Sequence, residues 1–185
     1  ERLSPAMQAL LRINNTLAGR LLIGPILGQI AFMRADAARI LGGDRRVLLG
    51  WLWHLPAAAL VLLWIAYSAM PLWAFALALY AGLSILKIRT FAEHQAHERV
   101  GGRSVVIEDR GLLAFLFLNN NFHAVHHMYP KIAWYELPAL YQLRKDRFLR
   151  RNHGYRFRSY GDLFRSHTFK AKDPVIHPHW NDPAE

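Results

Sequence analysis

Residues 119–130 read Asn-Asn-Asn-Phe-His-Ala-Val-His-His-Met-Tyr-Pro, and their centre packs His123, His126 and His127 into five positions. On a helix, positions i, i+3 and i+4 share one face, so the three rings can point at a single spot. Neutral imidazole is the commonest protein ligand for transition metals, and three rings converging from one turn suit a metal far better than a packed core. A second pair, His94 and His97, lies one helical turn apart in Arg-Thr-Phe-Ala-Glu-His-Gln-Ala-His-Glu, residues 89–98. His94 is expected as a further ligand, and His97 as either a ligand or a polar residue at a helix end. Glu93 and Glu98 offer carboxylates that can fix an imidazole tautomer. Asn119 and Asn120 offer amides that can cap a helix or orient a ligand or a bound water, and Asn119, four residues before His123, is the better placed.

An all-nitrogen site of this kind suits a redox metal. Breaking an unactivated C–H bond needs an oxidant that no side chain supplies, and iron with dioxygen is the physical choice. Zinc hydrolysis is the competitor, but it wants a carboxylate base beside the ligands, as in His-Glu-x-x-His on one helix, and that pattern is missing. The chain has no cysteine, which excludes thiolate ligands and disulfides. It also lacks Gly-rich phosphate loops and Ser or Cys nucleophile signatures. His54 reads as interfacial, and His153, His167, His177 and His179 as surface residues.

The elements that must position these rings follow from the apolar pattern. Hydrophobic residues make up 53% of the 185 and concentrate over 47–88, where His54 and Lys87 are the only basic side chains and no carboxylate occurs. At 1.5 Å rise per residue, the run 48–67 matches the roughly 30 Å hydrocarbon core of a bilayer, and 72–88 returns across it. Trp51, Trp53, Trp64 and Tyr67 sit near the ends of the first span, as an aromatic belt requires. The connection Ser68-Ala69-Met70-Pro71 carries no Lys or Arg, whereas Arg45, Arg46, Lys87 and Arg89 flank the other ends. The positive-inside rule then puts the hairpin tip outside and the histidine cluster on the cytoplasmic side of the inner membrane.

Upstream, residues 1–19 are amphipathic with a break at Asn14-Asn15-Thr16. The run 21–33 is apolar but too short to cross, so it reads as an interfacial or re-entrant helix, and 34–46 as a charged turn at the headgroups. Downstream, 100–110 reads as a cytoplasmic loop containing a β-like run at 104–107, and 111–118 as an interfacial stretch that delivers the histidine cluster. An amphipathic helix follows Pro130, and 144–165 is strongly basic with interleaved aromatics. The formal charge of +10 flanks apolar spans and is not laid out as a groove-reading helix. It therefore points to anionic lipid headgroups, or to an acidic redox partner at the basic segment, and not to nucleic acid. The expected architecture is an all-α membrane protein: interfacial and cytoplasmic amphipathic helices over 1–46, a transmembrane hairpin over 47–88, a cytoplasmic histidine cap over 89–170 and a Pro-rich tail over 171–185.

The segments 89–94 and 119–130 together resemble the carboxy-terminal half of a membrane fatty acid desaturase of the histidine-box superfamily, which also holds alkane hydroxylases and carotenoid hydroxylases and ketolases. The resemblance implies a di-iron centre held almost wholly by histidine, activation of dioxygen, and removal of two hydrogens from an acyl chain to leave a double bond. It also implies an electron-donor protein such as a ferredoxin or a cytochrome b5-like carrier. By position, His123, His126 and His127 match the third histidine box, His94 resembles the extra ligand after the last transmembrane helix, and Asn119 or Asn120 resembles a residue that holds a water near iron. The family's first box, His-x-x-x-His, and second box, His-x-x-His-His, have no counterpart, and no histidine precedes His54. With an opening at Glu1 and no initiator Met, the chain is expected to be a fragment, inactive in isolation. A carotenoid or alkane hydroxylase of the same superfamily, or a non-catalytic membrane piece, is the alternative.

Overall fold

Asp44 shows how local chemistry sets the longest helix. Its carboxylate accepts from the backbone N–H groups of Arg46 (3.1 Å) and Val47 (3.3 Å), satisfying two of the four donors that a helix start leaves open. The computed structural model describes residues 4–173. Its elements in order are helices α1 (Pro5–Asn14), α2 (Leu17–Leu22), α3 (Gly24–Leu41), α4 (Arg45–Tyr67) and α5 (Leu72–Glu93), then strand β1 (Val106–Ile107). Helices α6 (Leu112–Leu116), α7 (His123–Met128), α8 (Leu137–Leu143) and α9 (Lys145–Arg151), strand β2 (Arg156–Phe157) and helix α10 (Tyr160–His167) follow. The described residues are mostly helical, with one parallel strand pair among them that the all-α expectation did not contain.

The described residues divide into two compact units, one formed by 23–85 and the other by the segments before and after it. In the first, α4 and α5 are long and apolar enough to cross a membrane. Three of their four tryptophans are bare: Trp53 is 79% exposed, Trp64 75% and Trp73 70%. Between them, Ser68 Oγ turns back to the Ile65 carbonyl at 2.8 Å and Pro71 cannot extend α4, so the connection is tight. Helix α3 departs from the expectation. The Gly24-Pro25 pair does not interrupt it but starts it, since proline in a first turn sacrifices only an N–H that would be unpaired anyway. The helix then runs through Arg34 and Arg39, and the turn is confined to Gly42-Gly43, where Gly43 has φ +89°. Trp51 Nε1 donates to Asp36 Oδ2 at 2.9 Å, tying α4 to α3.

In the second unit, 104–107 is not a solvent loop. Val105, Val106 and Ile107 are buried to within 1%, and β1 pairs in parallel with β2, Val106 opposite Arg156 and Ile107 opposite Phe157. Two apolar clusters flank this spine. Phe91, Ile107, Phe117 and Leu163 meet on one side, and Phe122, Val125, Tyr141 and Phe148 on the other. Burying side chains of this size stabilises by about 2 kcal/mol each, which fixes the strand against the helices that carry the histidines. The break between α1 and α2 falls where the asparagines and Thr16 place it, with Thr16 Oγ1 accepting from Gly19 N at 3.0 Å.

Candidate metal centre

A helix end leaves its last carbonyls without partners. At the end of α5 the carbonyls of Ala92 and Glu93, and that of His94 just after it, are met by other parts of the chain. Tyr155 Oη donates to the Ala92 carbonyl at 3.0 Å, Val105 N donates to the Glu93 carbonyl at 3.0 Å, and Lys172 Nζ donates to the carbonyl of His94 itself. Asp173 adds a carboxylate oxygen that accepts from Ala96 N at 3.0 Å. Val105 also faces the other way: its carbonyl accepts from Ala124 N at 3.0 Å, in the first turn of α7. One buried residue therefore bridges the end of the helix that leads to His94 and the start of the helix that carries His123.

The result is a convergence of imidazoles. His123 Nε2 lies 3.1 Å from His94 Nε2 and 3.0 Å from His127 Nε2, and one ring nitrogen from each of the three falls within 4.8 Å of the others. Metal–nitrogen bonds of about 2.1 Å at right angles place their nitrogens about 3.0 Å apart. Imidazole nitrogens facing each other at this distance need a proton or a cation between them. The donor set therefore fits one transition metal, with His123 between His94 and His127.

Behind the ligands runs a polar chain. His123 Nδ1 sits 3.2 Å from Asn120 Oδ1, Asn120 Nδ2 donates to Glu93 Oε1, and Arg89 Nε closes on the same oxygen at 2.5 Å. With its Nδ1 proton directed at an amide oxygen, His123 keeps the Nε2 lone pair for the cluster. Burial, reinforced by the neighbouring histidines His94, His127 and His126 and by Arg89, lowers the His123 pKa to about 3. Burial likewise lowers that of His127. At neutral pH both present neutral rings.

Not every expected residue arrives. His126 is half-buried on the flank, its ring centroid 6.1 Å from those of both His123 and His127. It lines a hollow of about 340 Å³ with Leu86, Leu118, Ile132 and Trp134 and with the polar side chains of Arg89 and Asn120. His97 lies outside the group. Its ring stacks on His153 at 4.9 Å, and its Nδ1 accepts from Arg99 N at 3.0 Å. Of the two asparagines, Asn120 holds His123. Asn119, with φ +51° after Leu118 at +52°, donates to the Trp134 carbonyl at 3.2 Å instead. Glu98 is exposed. His54 lies edge-on to Trp51 in α4. His153 is exposed as expected, but His167 is not a surface residue: it packs edge-on against Phe91 and Phe157. His177 and His179 lie outside the described residues. Val105, Tyr155 and Lys172 escaped sequence reasoning, because a backbone bridge and two donors from distant segments leave no local pattern.

A family model described as Fatty acid desaturase matches residues 3–159. No curated protein and no solved structure matches the chain. The matched span runs from before α1 to the residue preceding α10 and takes in both histidine segments, and on that ground the chain belongs to the fatty acid desaturase family.

Proposed function

We propose that this chain holds metal for an oxygen-dependent acyl-lipid desaturase of the di-iron kind, embedded in the inner membrane by α4 and α5 with its histidine cap on the cytoplasmic face. The observation that carries the reading is the meeting of His94 with His123 and His127, imidazoles from two segments separated in sequence by 29 residues, at nitrogen separations of 3.0–3.1 Å. A chain whose histidines served only local structure would have no reason to bring three imidazoles together. In this reading His94, His123 and His127 hold iron and His126 is a further ligand on its flank. The metal, when bound, supplies with dioxygen the oxidising power to take hydrogen from an unactivated C–H bond.

The remaining roles belong to the protein. Asn120, with Glu93 and Arg89 behind it, holds the His123 tautomer. In the hollow beside His126, Leu86, Leu118, Ile132 and Trp134 offer apolar contacts to a methylene chain. The bare apolar surface of α4 and α5 supports insertion in lipid, because side chains as large as Trp53 and Trp64 gain by leaving water. The domain boundaries follow: cytoplasmic and interfacial helices over 1–46, the hairpin over 47–88 and the cap over 89–170. Which acyl chain is used, and whether a carotenoid or alkane takes its place, is a matter of the hollow's shape.

The test is fatty-acid analysis of cells expressing the chain in its complete reading frame, against the same frame carrying His123→Ala. A double bond that appears with the wild type and disappears with the variant supports the reading. Unaltered acyl chains with an oxidised carotenoid or alkane move the substrate within the superfamily, and no change in any lipid overturns the proposal.

A further inference from the structure

His123 and His127 sit on α7, where helix bonds hold them, but His94 has no such support. Helix α5 ends at Glu93, and His94 stands on the non-helical segment 94–96, bridged to Ser104 in antiparallel fashion. In extended chain, successive residues turn their backbone groups to opposite sides. On one side, Val105 N donates to the Glu93 carbonyl at 3.0 Å and Gln95 N to the Arg103 carbonyl at 2.9 Å. On the other side, the carbonyl of His94 and the N–H of Ala96 meet a strap, residues 168–173, that follows α10.

Lys172 and Asp173 make the grip. Lys172 Nζ donates to the His94 carbonyl, and Asp173 Oδ1 accepts from Ala96 N at 3.0 Å, so two adjacent side chains hold both ends of the segment. Only 6% of the Lys172 side chain meets solvent. An ammonium so far buried needs an acceptor for each of its N–H groups. Besides the His94 carbonyl it has Asp173 Oδ2 at 3.2 Å and Tyr155 Oη at 3.4 Å, and the ring faces of Phe91 and Tyr155 lie 5.3 and 5.9 Å away. The strap is fastened at its other edge to the junction of α1 and α2. Lys172 N donates to the Asn15 carbonyl at 3.0 Å, Ala18 N to the Thr168 carbonyl at 2.9 Å, and Asn15 Nδ2 to the Asp173 carbonyl.

Resting on the metal-site reading, we infer that residues 168–173 act as a clasp that presets His94 for metal, with Lys172 and Asp173 as positioning residues that themselves bind no metal. Fixing the backbone of one residue costs roughly tenfold in an equilibrium. A segment already fixed by the clasp does not lose that factor when metal binds, whereas a loose one does. The coupling is reciprocal by thermodynamic necessity: whatever factor the closed clasp adds to metal affinity, bound metal adds to closure of the clasp. A strap that served stability alone would show no such exchange.

The experiment uses the full chain in detergent with cobalt(II) as the probe. Binding is read by calorimetric titration, ligand geometry by the visible spectrum of the bound ion, and clasp closure by hydrogen exchange at the amides of residues 96 and 172. Lys172→Met keeps the length of the side chain and its packing on Phe91 and Tyr155 but removes the donors. It weakens cobalt binding about tenfold and changes the cobalt spectrum, because His94 is no longer held in one place. Asn15→Ala touches neither His94 nor Ala96 and takes one bond from the far edge of the clasp, so it folds more readily and weakens binding in the same direction by a smaller factor. In the wild type, cobalt slows exchange at residues 96 and 172 by at least about threefold, and in Lys172→Met it does not. Variants that unfold earlier yet keep the wild-type cobalt affinity and spectrum overturn the clasp, as does exchange at 96 and 172 that is indifferent to cobalt. His94→Ala separates the two readings. If it binds cobalt as tightly as the wild type, or the wild type binds none, the metal site falls and the clasp with it; if it alone loses cobalt and the clasp variants do not, the clasp falls and the metal site stands.

Discussion

Asn120 shows what a single side chain contributes to the cluster. It places Oδ1 3.2 Å from the Nδ1 of His123 and donates its amide to Glu93, so it keeps the ring in one tautomer without itself reaching the metal position. Partners of this kind are worth roughly 10–100-fold in metal affinity. Asn120→Ala is therefore expected to weaken cobalt(II) binding by about that factor, while His123→Ala abolishes it, both read by calorimetric titration of the chain in detergent. The same ring carries a pH signature. His123 is held to about 3 in the folded chain against 6.5 when free, so between those values the unfolded state takes up a proton that the folded state refuses. Stability of the metal-free chain thus rises with pH across that window and is lost as pH falls from about 6.5 towards 3. His123→Gln removes part of that slope. Melting temperatures of the two proteins collected from about pH 4 to 8 check it, and parallel slopes would refute the assignment.

At the level of elements, the site depends on how α5 ends. The Ala92 carbonyl, in the last turn before His94, is met by the Tyr155 hydroxyl at 3.0 Å. Removing that donor leaves a buried acceptor unpaired, at a cost of about 1–3 kcal/mol. Tyr155→Phe, which keeps the ring packed, is expected to destabilise the chain by that amount in denaturant unfolding and to weaken metal binding through His94. A metal affinity unchanged in a destabilised variant would separate the two. Much of the histidine pattern was legible in sequence, because i, i+3 and i+4 positions share a helix face whatever surrounds them. The neighbours of that pattern were not. Ser104–Ile107 reads as a β-like run in a loop, and nothing local reveals that Val105 spans the two histidine segments, since its bonds are backbone bonds to residues 93 and 124. His97 shows the reverse error. Helical spacing pairs it with His94, but α5 stops at Glu93 and the chain after it forms a bridge with Ser104, so the expected shared face is never built.

Across the whole molecule, two consequences follow from what the chain holds and lacks. Three converging imidazoles, with His126 on their flank, suffice for one metal, whereas two irons need more ligands than this cluster offers. Loading the chain with cobalt(II) or iron(II) and analysing metal against protein is expected to give close to one ion per chain, and the His123→Ala variant close to none. The absence of cysteine makes the second consequence easy to read, because any introduced thiol is unique. The proposed topology puts the connection between α4 and α5 outside, since it carries no cationic side chain, and the arginine-rich cap inside. Ala69→Cys, exposed in that connection, is then expected to react with a membrane-impermeant maleimide on intact cells. Gln142→Cys, exposed on α8, reacts only after permeabilisation. The four lysines and arginines flanking the hairpin, Arg45, Arg46, Lys87 and Arg89, would each have to cross the bilayer for the opposite orientation, at roughly 2.5–3.5 kcal/mol per charge at the centre of a span. Labelling of both thiols from the same side would show that α4 and α5 lie against the membrane or in water instead of crossing it, and the cap would lose the anchorage that brings its histidines to a lipid substrate.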